Sequence, residues 1–156
     1  MVPEKLTLTS GRDMCKKLGD QFVLAPGAVE LLNQLKLQNI PRAIATSSAI
    51  DNLEFYVTTF NLYQWFDKSC IIYDQGLFPG KPAPDIYLHA FNAIGIKPSE
   101  CVVAEDSLPG IEAAISAGAA QIIVINESAD FNYVNGIKGN IRTIRNFHEV
   151  EESTFL

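Results

Sequence analysis

From residue 26 onward the apolar positions alternate between two rhythms. Val29, Leu31, Leu32, Leu35 and Leu37 follow Pro26-Gly27 at roughly helical spacing. Proline suits a helix start because its missing N–H would be unpaired there anyway. Asn39-Ile40-Pro41 ends the helix. Residues 42–45, Arg-Ala-Ile-Ala, read as a short strand running into Thr46-Ser47-Ser48. Those hydroxyls suit the N-cap of a helix over residues 50–60. Residues 61–68, with Trp65 and Phe66, connect to a second strand over 69–73. A turn region with two Gly and three Pro fills residues 74–84. A helix over 85–94 carries Ile86, Leu88, Ala90, Phe91 and Ile94 and stops at Gly95.

The third strand, 101–104, is apolar throughout, as a parallel strand buried on both faces should be. It ends at Glu105-Asp106-Ser107, and Pro109-Gly110 opens an Ala-rich helix closed by Gly118. Residues 121–125 form a fourth strand. The chain then turns polar. Residues 141–144 suit a short fifth strand, and Asn146 suits the cap of a last helical turn. Strands alternating with helices indicate parallel βαβ units, hence an α/β fold with a three-layer, Rossmann-like parallel sheet.

The first 25 residues fit this series less well. Residues 5–9 alternate like a strand but read equally as a loop. Residues 10–22 suit a helix with Met14, Leu18 and Phe22 on one face.

Composition narrows the functional classes. The chain of 156 residues is 47% apolar and 19% charged, the balance of a globular domain with a real core. A formal charge of −6 without a Lys/Arg cluster argues against nucleic acid as a partner. No apolar run approaches the ~20 residues needed to span a bilayer, and no signal-peptide pattern opens the chain. The expected location is the cytoplasm, with no membrane partner. Cys15, Cys70 and Cys101 are far apart and read as reduced thiols. With His89 and His148 as the only histidines, a Cys/His zinc site is not expected.

Candidate chemistry lies at three strand ends, where parallel α/β sheets bind ligands. Thr46-Ser47-Ser48 offers hydroxyls and backbone N–H groups suited to an anion, although N-capping explains them equally. Lys81 sits between residues that stiffen the backbone, in Gly80-Lys81-Pro82-Ala83-Pro84-Asp85. A lone loop lysine is ordinarily just solvated. This is not a Walker A loop, because Gly76 to Gly80 is one residue too short and Pro82 replaces the Ser/Thr. Glu105-Asp106 places two carboxylates at a sheet edge, hard ligands suited to Mg²⁺ or, as plainly, a helix-capping device.

Taken together, in this order, the segments 44–48, 80–85 and 102–118 resemble motifs II, III and IV of the haloacid dehalogenase (HAD) superfamily. The best match is its subgroup of β-phosphoglucomutase-like enzymes and small phosphosugar phosphatases. The resemblance covers about residues 24–125. It implies that Thr46 hydrogen-bonds the transferring phosphoryl group, with Ser47 supplying backbone contact. It implies that Lys81 stabilises charge on nucleophile and phosphoryl oxygens, and that Glu105 and Asp106 hold Mg²⁺ with Ser107 in support. The implied substrate is a phosphorylated small molecule. The implied reaction is in-line attack by an aspartate, giving an aspartyl-phosphate that water cleaves.

One feature of the family pattern is missing. Its members begin with a strand ending in Asp-x-Asp, whose first Asp is the nucleophile. None of Asp13, Asp20, Asp51, Asp67, Asp74, Asp85, Asp106 and Asp130 is followed two places later by another Asp. The resemblance therefore implies that the central first strand is missing, that residues 1–23 are a remnant of the helical cap, and that residues 24–156 are the core domain. This chain alone is expected to be catalytically inactive. The alternative is a non-catalytic protein that binds phosphate or serves assembly. A missing central strand leaves two sheet edges with unpaired backbone groups. Residues 6–9 could fill the gap, the neighbouring strands could close up, or a partner could supply a strand. Intermolecular pairing is favoured, through a homo-oligomer or a complementing N-terminal fragment.

Overall fold

The computed structural model describes residues 22–155. The expectations for residues 1–21, including the cap remnant except its last two residues, fall outside them.

Helix α1 (Ala28–Leu37) begins at Gly27, whose φ of 81° favours glycine. A Cβ at Gly27 would collide with the backbone of Phe147 and His148, so the glycine also permits close packing of the C-terminal segment. The Phe147 N–H donates to the Pro26 carbonyl at 2.9 Å and fastens that contact. Strand β1 (Ile44–Thr46) leads into α2 (Ile50–Thr59), and β2 (Ile71–Tyr73) pairs with β1 in parallel, Ile44 opposite Ile71 and Thr46 opposite Tyr73. Helix α3 (Asp85–Ile94) ends at Gly95, whose φ is 70°. Then come β3 (Val102–Glu105), α4 (Leu108–Ser116), β4 (Gln121–Ile125) and β5 (Ile141–Ile144). These strands pair in parallel in the order β3-β4-β5.

The expected α/β architecture with parallel strands is therefore present, but its strands fall into two groups. β1 and β2 form one sheet, and β3, β4 and β5 form another. No β1–β3 pairing joins them among the described residues. The two strands that would neighbour a missing central strand have not closed up on each other. Exposure follows the break: Ala104 of β3 is exposed, whereas Ile122, Ile123 and Val124 of β4 are buried.

Two apolar clusters hold the halves. Leu53, Val57, Leu62, Trp65, Phe66 and Ile71 pack α2 and the following turn onto β2. The Trp65 indole N–H donates to Asn33 Oδ1 at 2.7 Å, so its polar edge is satisfied. Ile86, Tyr87, Phe91, Val103, Ile111, Ile122 and Val124 belong to the larger cluster, between α3, α4 and the three-stranded sheet. Helix α3 joins the clusters. It packs on β1 and β2 and also touches α4.

Some local expectations need correction. The α2 N-cap is Ala49, without a side-chain capping bond, so the hydroxyls of residues 46–48 do not cap that helix. Instead, the Ser48 N–H donates to Thr46 Oγ1 at 3.1 Å and folds the segment onto itself. Leu37 and Leu88, read as part of apolar helix faces, are exposed. The Asn146 cap is present, its Oδ1 accepting from the His148 N–H at 3.1 Å. Cys70 and Cys101 are free thiols, and Cys15 lies outside the described residues. No helix among the described residues is long and apolar enough to cross a membrane.

Candidate active site

The C-terminal ends of β1 and β3 open onto one cavity of about 540 Å³. Its lining includes Thr46, Ser47 and Ser48 after β1, Lys81 from the loop before α3, and Glu105, Asp106 and Ser107 at the end of β3. The cavity thus gathers every residue singled out in the three sequence segments. Ala45 and Ala104 line it too, so its floor is the break between the two sheets. Short side chains at these positions leave room that larger ones would fill.

Glu105 organises the polar groups. It is the one charged residue that is buried among the described residues, 7% exposed. An unpaired carboxylate there would be costly, and this one is fully partnered. Its Oε1 accepts from the Lys81 ammonium and from the Tyr87 hydroxyl, the latter at 2.8 Å. Its Oε2 accepts from the Asp106 N–H at 2.9 Å and from the N–H and Oγ of Ser107, both at 3.0 Å. Burial pushes its carboxyl pKa up, but the Lys81 hydrogen bond and charge, with the Ser107 and Tyr87 bonds, outweigh burial and lower it to about 2. Glu105 is therefore ionised at neutral pH.

Gly110 makes this arrangement possible. A Cβ at that position would overlap the Glu105 carboxyl group, so only glycine lets α4 approach so closely. Ser107 has a double role. It donates to Glu105 through its hydroxyl, and the same oxygen accepts from the Gly110 N–H at 3.3 Å as the N-cap of α4.

Asp106 differs from its neighbour. It is exposed on the cavity side, and partial desolvation followed by the adjacent Glu105 charge raises its pKa. The Tyr133 hydroxyl donates to its carbonyl at 3.4 Å and ties the strand end to the polar loop after β4. No cluster of three metal-ligating side chains occurs among the described residues. The oxygen donors present are still of the kind that suits Mg²⁺, which takes one or two carboxylates together with substrate and water oxygens. Both Glu105 oxygens already accept protein donors, so Asp106 is the more available carboxylate.

Two participants escaped the sequence reading, Tyr87 and Gly110. The helical periodicity around Tyr87 marked an apolar face and gave no sign that a hydroxyl would reach Glu105. The available signal was its place six residues after Lys81, one turn into the helix that follows the lysine loop.

Comparison with known proteins agrees with this geometry. The matching family is described as haloacid dehalogenase-like hydrolase, over residues 11–118. A probable pseudouridine-5'-phosphatase of Drosophila melanogaster is 42% identical over 105 residues, covering 65% of this chain and 46% of that protein. A crystal structure of a HAD hydrolase, family IA, variant 3, from Entamoeba histolytica HM-1:IMSS is similar with a TM-score of 0.78 at 40% identity, covering 84% of this chain and 58% of that one. The crystal structure of CbbY from Rhodobacter sphaeroides in complex with phosphate is similar with a TM-score of 0.66 at 31% identity, covering 80% and 55%. The chain spans about half the length or less of the curated relatives it matches, 46% and 48% for two probable pseudouridine-5'-phosphatases.

Proposed function

The chain belongs to the haloacid dehalogenase-like hydrolase family, and on that premise we propose that its cavity takes the phosphoryl group of a small phosphate monoester. The observation that carries this reading is the convergence of Thr46, Ser47, Lys81 and Asp106 on one cavity at the ends of β1 and β3. A dianionic phosphoryl group needs hydrogen-bond donors and positive charge around its oxygens. The Thr46 hydroxyl and the backbone beside Ser47 supply donors, and the Lys81 ammonium supplies charge. The similar CbbY was solved with phosphate bound, which supports the same class of ligand here. The relatives' names point to phosphorylated sugars and nucleosides as the range to screen.

Mg²⁺ fits the same reading. Asp106 would hold it, with Glu105 alongside, and the ion would neutralise charge building on the phosphoryl oxygens. The chain's own residues perform the positioning. Lys81 is fixed by Glu105, and Glu105 is fixed by the backbone N–H groups of Asp106 and Ser107. The missing part is the nucleophile. In the family's chemistry a carboxylate oxygen bonds to phosphorus as the ester P–O bond breaks, and water then cleaves the acyl phosphate. No Asp-x-Asp occurs in these 156 residues. We therefore infer binding without turnover for this chain alone.

A second reading, a non-catalytic phosphate-binding or assembly protein, is favoured by the edges of β1 and β3 that no strand pairs among the described residues. A p-nitrophenyl phosphate assay with Mg²⁺ tests the inference that this chain alone does not turn over a phosphate monoester. No turnover above the rate of buffer is expected. Turnover that Lys81→Ala abolishes would overturn the inactive reading and the non-catalytic alternative together.

A further inference from the structure

The Tyr87 ring belongs to the larger apolar cluster, but its hydroxyl has no part in the three motif segments or in that packing. Tyr87 is 5% exposed, on the first turn of α3, and its ring stacks on Phe91 at 6.2 Å between centroids. Its hydroxyl lies 2.8 Å from Glu105 Oε1 and 3.1 Å from Lys81 Nζ. A phenol has one hydrogen to donate and lone pairs to accept with. The carboxylate can only accept and the ammonium can only donate, which fixes both directions. Tyr87 donates to Glu105 and accepts from Lys81. Burial, followed by the Glu105 charge, raises the phenol's pKa, so the proton stays on it.

The ammonium is thereby held at three points. Glu105 takes one N–H, the Tyr87 oxygen takes a second, and the Tyr87 ring lies 4.9 Å from Nζ for a cation–π contact. Lys81 makes no other hydrogen bond among the described residues, so one N–H remains for a ligand. A lysine held by one ion pair keeps much of its rotamer freedom, and a ligand must then bear the cost of ordering it. A lysine already held by carboxylate, hydroxyl and ring does not impose that cost.

We propose that Tyr87 is a positioning residue for phosphoryl binding: by accepting from Lys81 while donating to Glu105, its hydroxyl fixes the ammonium at the cavity before ligand arrives. This rests on the phosphate-site reading above. The competing explanation is a buried phenol that merely found the nearest acceptor. The two differ in what removal of the hydroxyl changes. A structural bond affects stability alone, whereas a positioning bond affects anion affinity.

The test is titration calorimetry with inorganic phosphate, in Mg²⁺, on wild type, Lys81→Ala and Tyr87→Phe, with a melting curve for each. Tyr87→Phe should weaken phosphate binding by about fivefold to tenfold and lower the melting temperature by only about a few degrees. Lys81→Ala should bind still more weakly. Wild-type affinity in a folded Tyr87→Phe, with Lys81→Ala impaired, overturns the proposal and leaves the phosphate site standing. Absence of binding by wild type overturns both. Should Tyr87→Phe fail to fold, 3-fluorotyrosine placed at position 87 keeps the hydroxyl and reports on it. Its ¹⁹F line should move as phosphate saturates the protein, and a stationary line at saturation overturns the proposal.

Discussion

At the scale of single residues, Glu105 is the hinge of the site, and its titration gives a stability signature. Its folded pKa is lowered from 4.5 to about 2. A depressed carboxylate pKa adds stability that is present above the unfolded value and is lost as pH falls through the folded one. Stability should thus decline from about pH 4.5 down to about pH 2, with Glu105 accounting for something on the order of 2 kcal/mol after allowance for solvent screening. Asp106, whose pKa is raised, acts with the opposite sign. The informative quantity is therefore the difference between wild type and Glu105→Gln in acid denaturation curves, which should shrink across that window. Gly110→Ala tests the same group from the other side. The new methyl would displace the Glu105 carboxyl, so urea unfolding should show a loss of about 1–3 kcal/mol or more. Residue type marked Thr46, Lys81, Glu105 and Asp106 only as strand-end or loop residues with equally plain structural readings, and it was the resemblance of the three segments, in order, to family motifs that joined them with Ser47 and Ser107 around the cavity where the fold places them. Neither marked Tyr87 or Gly110 as part of the site. What each does depends on a neighbour 18 or 5 residues away, which only packing brings close.

At the scale of elements, the apolar runs marked each strand near its observed bounds, because a parallel strand covered by helices needs no polar face. The helices were less legible on their faces than in their extents. Leu88 is exposed while Tyr87 beside it is buried, since α3 turns one flank to β1 and β2 and another to α4. The hydroxyls after β1 suit an N-cap by residue type, yet the N-cap of the helix is Ala49, one residue beyond them, and Thr46 accepts from the Ser48 N–H instead. The break between the sheets had no signal in the apolar pattern itself. It predicts a gradient of protection. Amides of β4, flanked on both sides, should exchange with deuterium more slowly than those of β1 and β3, each of which has an edge without a partner strand among the described residues. Ile111 is fully buried between α4 and the three-stranded sheet. Ile111→Ala should cost about 2–5 kcal/mol in chemical denaturation.

At the scale of the molecule, Thr46, Ser47, Lys81, Glu105, Asp106 and Ser107 line one cavity at the break between the two sheets, the cavity proposed above to take a phosphoryl group. The Lys81 ammonium, the Tyr87 and Ser107 hydroxyls and the backbone N–H groups of Asp106 and Ser107 all converge on Glu105. The most direct measurement is calorimetric titration of inorganic phosphate into the wild-type chain with Mg²⁺ present, repeated with Lys81→Ala. Saturable binding that Lys81→Ala weakens at least about tenfold is predicted, since a hydrogen bond to a charged group contributes about 1.5–3 kcal/mol. Equal binding by both proteins, or none by either, would contradict the assignment of this cavity as a phosphoryl site.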